Sequence, residues 1–167
     1  MKIELKKWTP DLAEGLIKVC NNTDRTYLTD RLPNPYTDEC AKQWLENIVA
    51  VHDGKDGLFR AIVADGAVVG NITVEGKTGI YCKDAEIGYI LHKDHCGKGI
   101  ATEATRLIVK EAFETLDIVK LTSEVFAPNK ASARVLEKNG FVLEGILRKA
   151  ACKNGELFDL LRFGKLK

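Results

Sequence analysis

Charged and apolar residues alternate from the start, Met1-Lys2-Ile3-Glu4-Leu5-Lys6-Lys7, and a period of two predicts a strand over Ile3, Leu5 and Trp8. Thr9-Pro10-Asp11 then puts a threonine at an N-cap and a proline at the first helical position, where its missing N–H costs nothing. Leu12, Leu16, Ile17 and Val19 give that helix an apolar side. The run Arg31-Leu32-Pro33-Asn34-Pro35-Tyr36 is predicted non-helical, because each proline pushes its predecessor into extended geometry. Thr37 caps a second helix carrying Ala41, Trp44, Leu45 and Ile48 on one face.

After these helices, β-rich runs take over. Leu58–Ala64 and Val68–Val74 are joined through Asp65-Gly66, a hairpin signal, and Ala85–Leu91 is a further strand. A loop with two glycines opens a helix from about Gly99 to Leu116, with Ile100, Ala104, Leu107, Ile108 and Ala112 on one side. A strand from Val119 to Phe126 follows, then a helix from about Asn129 to Lys138 closed by Asn139-Gly140. The last two strands, near Phe141–Ala151 and Leu157–Leu166, turn at Asn154-Gly155. The pattern predicts an α+β fold, with helices flanking a mixed, mostly antiparallel central sheet and one strand–helix–strand unit near its centre.

A chain of 167 residues without repeats, low-complexity tracts or Ser/Gly-rich linkers is expected to form one domain, 1–167. Its 45% hydrophobic and 29% charged residues are ordinary for a globular protein, and a net charge of +1 favours neither nucleic acid nor an anionic membrane as partner. No apolar run approaches the ~20 residues of a membrane-spanning helix, and no secretory leader is readable. Cys20, Cys40, Cys82, Cys96 and Cys152 are widely spaced, without metal-ligand or disulfide spacing. Reduced thiols in a cytoplasmic protein are expected.

Chemistry concentrates in the stretch from Glu86 to Ala104, which contains His95-Cys96-Gly97-Lys98-Gly99-Ile100-Ala101-Thr102-Glu103. A strand here runs through Gly97 and Gly99 directly into a helix, which makes an anion site. The first helical N–H groups lack internal partners, the helix dipole is positive there, and glycine lets backbone approach a phosphate. Lys98 adds a positive charge. A Walker loop needs Lys and then Ser or Thr after its second glycine, whereas Gly99 precedes Ile100. A dinucleotide fingerprint needs three glycines in a parallel βαβ unit. Neither matches.

Here the sequence resembles the GNAT superfamily of N-acetyltransferases, and within it the ribosomal-protein N-terminal (RimJ/RimL-like) subgroup. The motifs are Leu32-Pro33-Asn34-Pro35-Tyr36-Thr37 before the second helix, Glu86-Ile87-Gly88-Tyr89 in the central strand and Gly97-Lys98-Gly99-Ile100-Ala101-Thr102-Glu103-Ala104 at the loop. Asn129-Lys130-Ala131-Ser132 with Leu136-Glu137-Lys138-Asn139-Gly140-Phe141 completes them, and the resemblance covers nearly the whole chain.

The resemblance implies a GNAT fold with splayed central parallel strands, and acetyl-CoA as co-substrate without a metal. Cys96, Gly97, Lys98, Gly99, Ile100, Ala101 and Thr102 would cradle its pyrophosphate. Strand backbone near Ile90 and Leu91 would pair with the pantetheine arm, and the same strand would polarise the thioester carbonyl. Asn129 and Ser132 would contact the pantetheine region. Arg31 and Tyr36 lie in the part that walls the acceptor groove in this family and are candidate acceptor contacts. The implied partners are acetyl-CoA and an amine, with a homodimer left open. The sequence also departs from the family. Leu136 stands where many members carry the tyrosine that protonates the leaving thiolate, so Ser132 becomes the candidate donor. Cys96 stands where Gln, Arg or an aromatic residue is common. Ala150-Ala151 lies where some ribosomal-protein acetyltransferases have an acidic residue.

An amine attacks a thioester only when neutral. Near pH 7 an α-amine of pKa about 7.7–8 is neutral roughly a tenth of the time, a lysine of about 10.4 in only a few molecules per ten thousand. A protein or peptide N-terminal α-amine is therefore the expected acceptor. A small-molecule amine (polyamine, amino acid or antibiotic) is the alternative, and a non-catalytic acyl-CoA sensor is the reading from another class. Glu86, flanked by apolar residues that raise its pKa, is the candidate base. His92 and His95 lack an evident third metal ligand, direct transfer needs no Cys96 nucleophile, and Tyr89 is assigned to sheet packing.

Overall fold

The computed structural model describes residues 1–167. Its strands are β1 (Ile3–Lys7), β2 (Gly57–Ala64), β3 (Ala67–Gly76), β4 (Asp84–Leu91), β5 (Lys120–Phe126), β6 (Val142–Lys153) and β7 (Glu156–Leu166). They form a 7-stranded sheet in the order β1-β2-β3-β4-β5-β7-β6, antiparallel at every pair except β4–β5. The helices are α1 (Ala13–Asn21), α2 (Asp38–Trp44), α3 (Ala50–His52), α4 (Ile100–Thr115) and α5 (Lys130–Lys138). The expected α+β architecture is present.

Local chemistry explains the element ends. Asp65 and Gly66 take φ of +47° and +86°, the geometry of a two-residue hairpin turn whose twist matches its strands. Asn154 and Gly155 repeat it at +52° and +78° between β6 and β7. Thr37 caps α2 by accepting the Cys40 N–H at 3.3 Å. Thr9 departs from expectation. It precedes a 3₁₀ turn over Pro10–Leu12 and its side chain makes no capping bond, so α1 begins only at Ala13. The helix after Thr37 passes through a π-helical turn, Leu45–Val49, into α3, with Trp44, Leu45 and Ile48 packed against the core.

The sheet separates two cores. The larger joins Leu58, Ile62, Ile72, Ile87 and Leu121 to Ile100 and Ile108 of α4 and Leu136 of α5. The smaller joins Trp8, Phe59, Ala61 and Val63 to Leu16 of α1 and Ala41 of α2. Each large aliphatic side chain so buried contributes ~1.5–3 kcal/mol. Arg60, 3% exposed, bridges Asp53 and Glu111 at 2.6 Å each.

One feature of the sheet positions the site. β4 and β5 pair only at Asp84↔Lys120, Ala85↔Leu121 and Glu86↔Thr122. Beyond that they part, β4 staying with β3 as far as Leu91↔Gly70 and β5 staying with β7 as far as Phe126↔Leu160. The splay that the resemblance implied is there. Lys77 fastens its closed end, donating to Asp84 Oδ2 at 2.5 Å and to Thr122 Oγ1 at 2.8 Å.

Candidate active site

The gap exposes one edge of β4. The His92 N–H donates to Val69 O at 2.9 Å, and bonds to an antiparallel neighbour alternate along a strand. The backbone groups of Gly88 and Ile90 therefore face β3, while those of Ile87, Tyr89 and Leu91 face the gap. The pairing expected near Ile90 and Leu91 is available at Leu91 and at Tyr89. The backbone of Ile90 is engaged with Asn71 of β3.

At the open end, β4 continues through His92 and a 3₁₀ turn, Lys93–His95, into the glycine loop and α4. Gly97 and Gly99 hold φ of +73° and +77°, which would cost another residue about 1–2 kcal/mol. No backbone acceptor meets the N–H groups of Gly97, Lys98, Gly99, Ile100, Ala101 or Thr102, and no side chain caps α4. Unpartnered amides at the positive end of a helix suit a diphosphate. Cys96 stands outside that row, because its N–H already donates to Lys93 O at 3.2 Å. Lys98 Nζ donates back to Asp94 O at 2.7 Å, which keeps its charge over the turn.

Across the gap, Asn129 Oδ1 accepts the Ser132 N–H at 3.2 Å and caps α5. Ser132 Oγ lies 2.9 Å from the Tyr89 hydroxyl, so Tyr89 does more than pack. Burial pushes its phenol up to about 12, with the Ser132 bond acting the other way. Leu136 is fully buried in the core and brings no hydroxyl to the gap.

On the opposite face of β4, Arg31, Thr73, Glu75, Gly76, Lys77, Glu86 and Gly88 line a cavity of about 240 Å³ without a single apolar side chain. Glu75 and Glu86 are direct cross-strand partners. Burial around its carboxyl is the main cause of a raised Glu86 pKa; Arg31 pulls it down, Glu124 pushes it up, and Lys77 and Glu75 repeat those signs. Glu86 remains open to solvent along the cavity, which limits the rise. Tyr36 does not reach this wall. Its ring is 6% exposed in the smaller core, and its backbone is clamped by the Asn21 side chain at 2.8 and 2.9 Å. The structure places Tyr36 in the core, where burial of its ring is favourable.

The segment between α1 and α2 carries Arg31 to the cavity. One end is tied to the glycine-loop side, where Lys93 N–H donates to Asn22 O at 2.9 Å and Thr23 bridges His92. Further along, Tyr27 packs on Phe126 and Phe158 with ring centres 6.0 and 6.4 Å away. Lys153 Nζ donates to Arg25 O and, at 2.7 Å, to Leu28 O.

Residues 2–142 match the profile of the family described as "Acetyltransferase (GNAT) domain". The chain belongs to the GNAT acetyltransferase family. "Probable N-acetyltransferase YjcK" of Bacillus subtilis (strain 168) is 42% identical over 99 residues, 59% of this chain and 54% of that one; the match spans about half the length of this relative. Among solved structures, the ribosomal-protein-S5-alanine acetyltransferase from Vibrio fischeri has a TM-score of 0.84 at 22% identity, covering 99% of this chain and 93% of that one. RimL, a ribosomal L7/L12 alpha-N-protein acetyltransferase in complex with coenzyme A, has a TM-score of 0.82 at 21% identity, covering 99% and 94%. At those identities the likeness is one of fold. Family, fold and enzyme class agree with the expectation from sequence.

His92 and His95 stand edge to face, ring centres 5.8 Å apart, and no group of three or more His, Cys, Asp or Glu converges on one point. Burial, then Asp24, raises the Cys96 thiol pKa, which keeps it a protonated, weak nucleophile. The cysteines are free thiols. No helix is long and apolar enough to cross a membrane. Glu75 and the Tyr89 hydroxyl escaped the sequence reading. Strand parity alone could have put Tyr89 on the α5 face, and only register pairs Glu75 with Glu86.

Proposed function

We propose that the chain moves the acetyl group of acetyl-CoA to the neutral α-amine of a protein or peptide N-terminus, by direct attack in a ternary complex. One observation carries the donor half: the unpartnered amides of Gly97 to Thr102 stand at the open end of the β4–β5 gap. A diphosphate held there leaves the pantetheine arm a slot bounded by the free edge of β4. Family membership and the coenzyme A of the RimL neighbour support the same donor.

The site residues take separate parts. The N–H groups from Gly97 to Thr102 receive phosphate charge, and the Asn129 side-chain amide bonds the arm. An N–H of β4, from Tyr89 or Leu91, polarises the thioester carbonyl. Glu86 accepts, directly or through water, the proton that the amine loses, and the Ser132 hydroxyl donates toward the sulfur. Holding amine and thioester together supplies much of the acceleration. The α-amine is favoured because it is neutral far more often than a lysine, and the names of both structural neighbours point the same way. Arg31 contacts the acceptor at the cavity.

The wholly polar lining of that cavity favours a second reading, a small polar amine. Incubation with acetyl-CoA and either free-N-terminus peptides or a pool of metabolite amines, read by mass spectrometry, separates the two. Acetylation of peptide α-nitrogens supports the first; acetylation of small amines alone replaces it with the second. Coenzyme binding without thiol release for any amine would make the protein a sensor.

A further inference from the structure

Tyr89 has a partner that sheet packing does not require. Its hydroxyl reaches the first turn of α5, 2.9 Å from Ser132 Oγ and 3.5 Å from Ser132 O. Ser132 is held from the other side by Asn129 Oδ1 on its N–H at 3.2 Å. Asn129 is itself anchored, its N–H donating at 2.8 Å to the carbonyl of Phe126, the last residue of β5. The chain Tyr89–Ser132–Asn129 thus links the two lips of the gap beyond the point where their backbones stop pairing. Both hydroxyl-bearing side chains are half-buried.

We propose that Tyr89 is a positioning residue for Ser132: its O–H donates to Ser132 Oγ and turns the serine's own proton toward the gap, where the thiolate departs. The inference rests on the acetyl-transfer reading above. A serine hydroxyl rotates to suit whichever acceptor is near; a donor behind it selects one orientation and polarises the second bond. Nothing further is consumed. The carbon–nitrogen bond forms, the carbon–sulfur bond breaks and sulfur keeps the electron pair. The amine's proton leaves through Glu86, Ser132 stabilises the sulfur charge while retaining its proton, and the free thiol takes a proton from water. Burial keeps the phenol protonated near neutral pH, as donation from Tyr89 requires.

The test compares Tyr89→Phe, Ser132→Ala, the double variant and Ser132→Thr. Tyr89→Phe is expected to lower kcat about tenfold, with the KM for acetyl-CoA and the melting temperature near wild type. Ser132→Ala should lose at least as much, Ser132→Thr should recover most of it, and the double variant should be no worse than Ser132→Ala. The free protein gives a second readout. In a spectrophotometric phenol titration, Ser132→Ala should shift the Tyr89 transition, identified by its absence in Tyr89→Phe. Losses that multiply in the double variant, an unchanged kcat in Tyr89→Phe, or a phenol transition indifferent to Ser132→Ala would each overturn the proposal. Wild type that binds acetyl-CoA but releases no thiol with any amine sinks the acetyl-transfer reading instead, and the titration still judges the hydroxyl pair.

Discussion

Glu75 on β3 stands directly across from Glu86 on β4, both on the wall of the polar cavity. Like charges in that relation weaken a sheet, by roughly 0.2–1 kcal/mol. Arg31 and Lys77, on the same wall, offset part of that repulsion at Glu86.

Glu75→Gln should therefore lower the Glu86 pKa and move the acid limb of the kcat/KM profile to lower pH, without abolishing activity. A limb that stays in place, or moves up, would show that Glu86 is not the group titrating there.

Glu86→Gln should lower kcat by about a hundredfold or more and still raise stability at neutral pH. The sign follows from the raised carboxyl pKa. The stability Glu86 contributes is fully present below its unfolded pKa of about 4.3 and is lost as pH rises through the higher folded value. Denaturant unfolding of both proteins should coincide near pH 4 and diverge in favour of the variant by pH 7. Equal stabilities at both pH values count against the raised pKa.

Gly99→Ala tests the phosphate cradle. An added Cβ meets nothing within 4 Å, but φ is +77°, so the strain is in the backbone, about 1–2 kcal/mol. Relief requires the loop to leave the conformation that presents its amides. Calorimetry should show acetyl-CoA binding weakened about 5–30-fold, and Gly99→Glu should weaken it further by placing like charge beside the diphosphate. Unchanged affinity in both variants would remove the cradle from the mechanism.

Lys153→Met should act on the acceptor alone. Its ammonium is bonded to the carbonyls of Arg25 and Leu28 in the segment that carries Arg31. Losing charge-assisted bonds of this type should raise the acceptor KM roughly tenfold, with acetyl-CoA affinity unaltered. Parallel loss of coenzyme binding would point to general unfolding of that segment.

Arg60→Met removes the cation shared by Asp53 and Glu111. Breaking a buried ion cluster from one side costs about 3–5 kcal/mol, which should lower Tm by roughly 10 °C and leave kcat per folded molecule unchanged. A Tm within a degree of wild type would mean that the two carboxylates find water instead.

Much of this was legible along the chain, and for a local reason. Strand and helix periods, the turns at Asp65-Gly66 and Asn154-Gly155, the Thr37 cap and the run from Gly97 to Thr102 depend on neighbours within a few residues, so their residue types alone specify them. The acetyltransferase resemblance rested on those same short motifs. Tertiary structure decided whatever joins distant segments. Tyr89 meets Ser132 across 43 positions and Arg60 meets Glu111 across 51. Tyr36 goes to the core instead of the groove, and strand register gives the gap-facing amides to Tyr89 and Leu91 and withholds that of Ile90. Composition and spacing carry no record of which strands lie side by side or where two of them part; packing of the whole sheet fixes both.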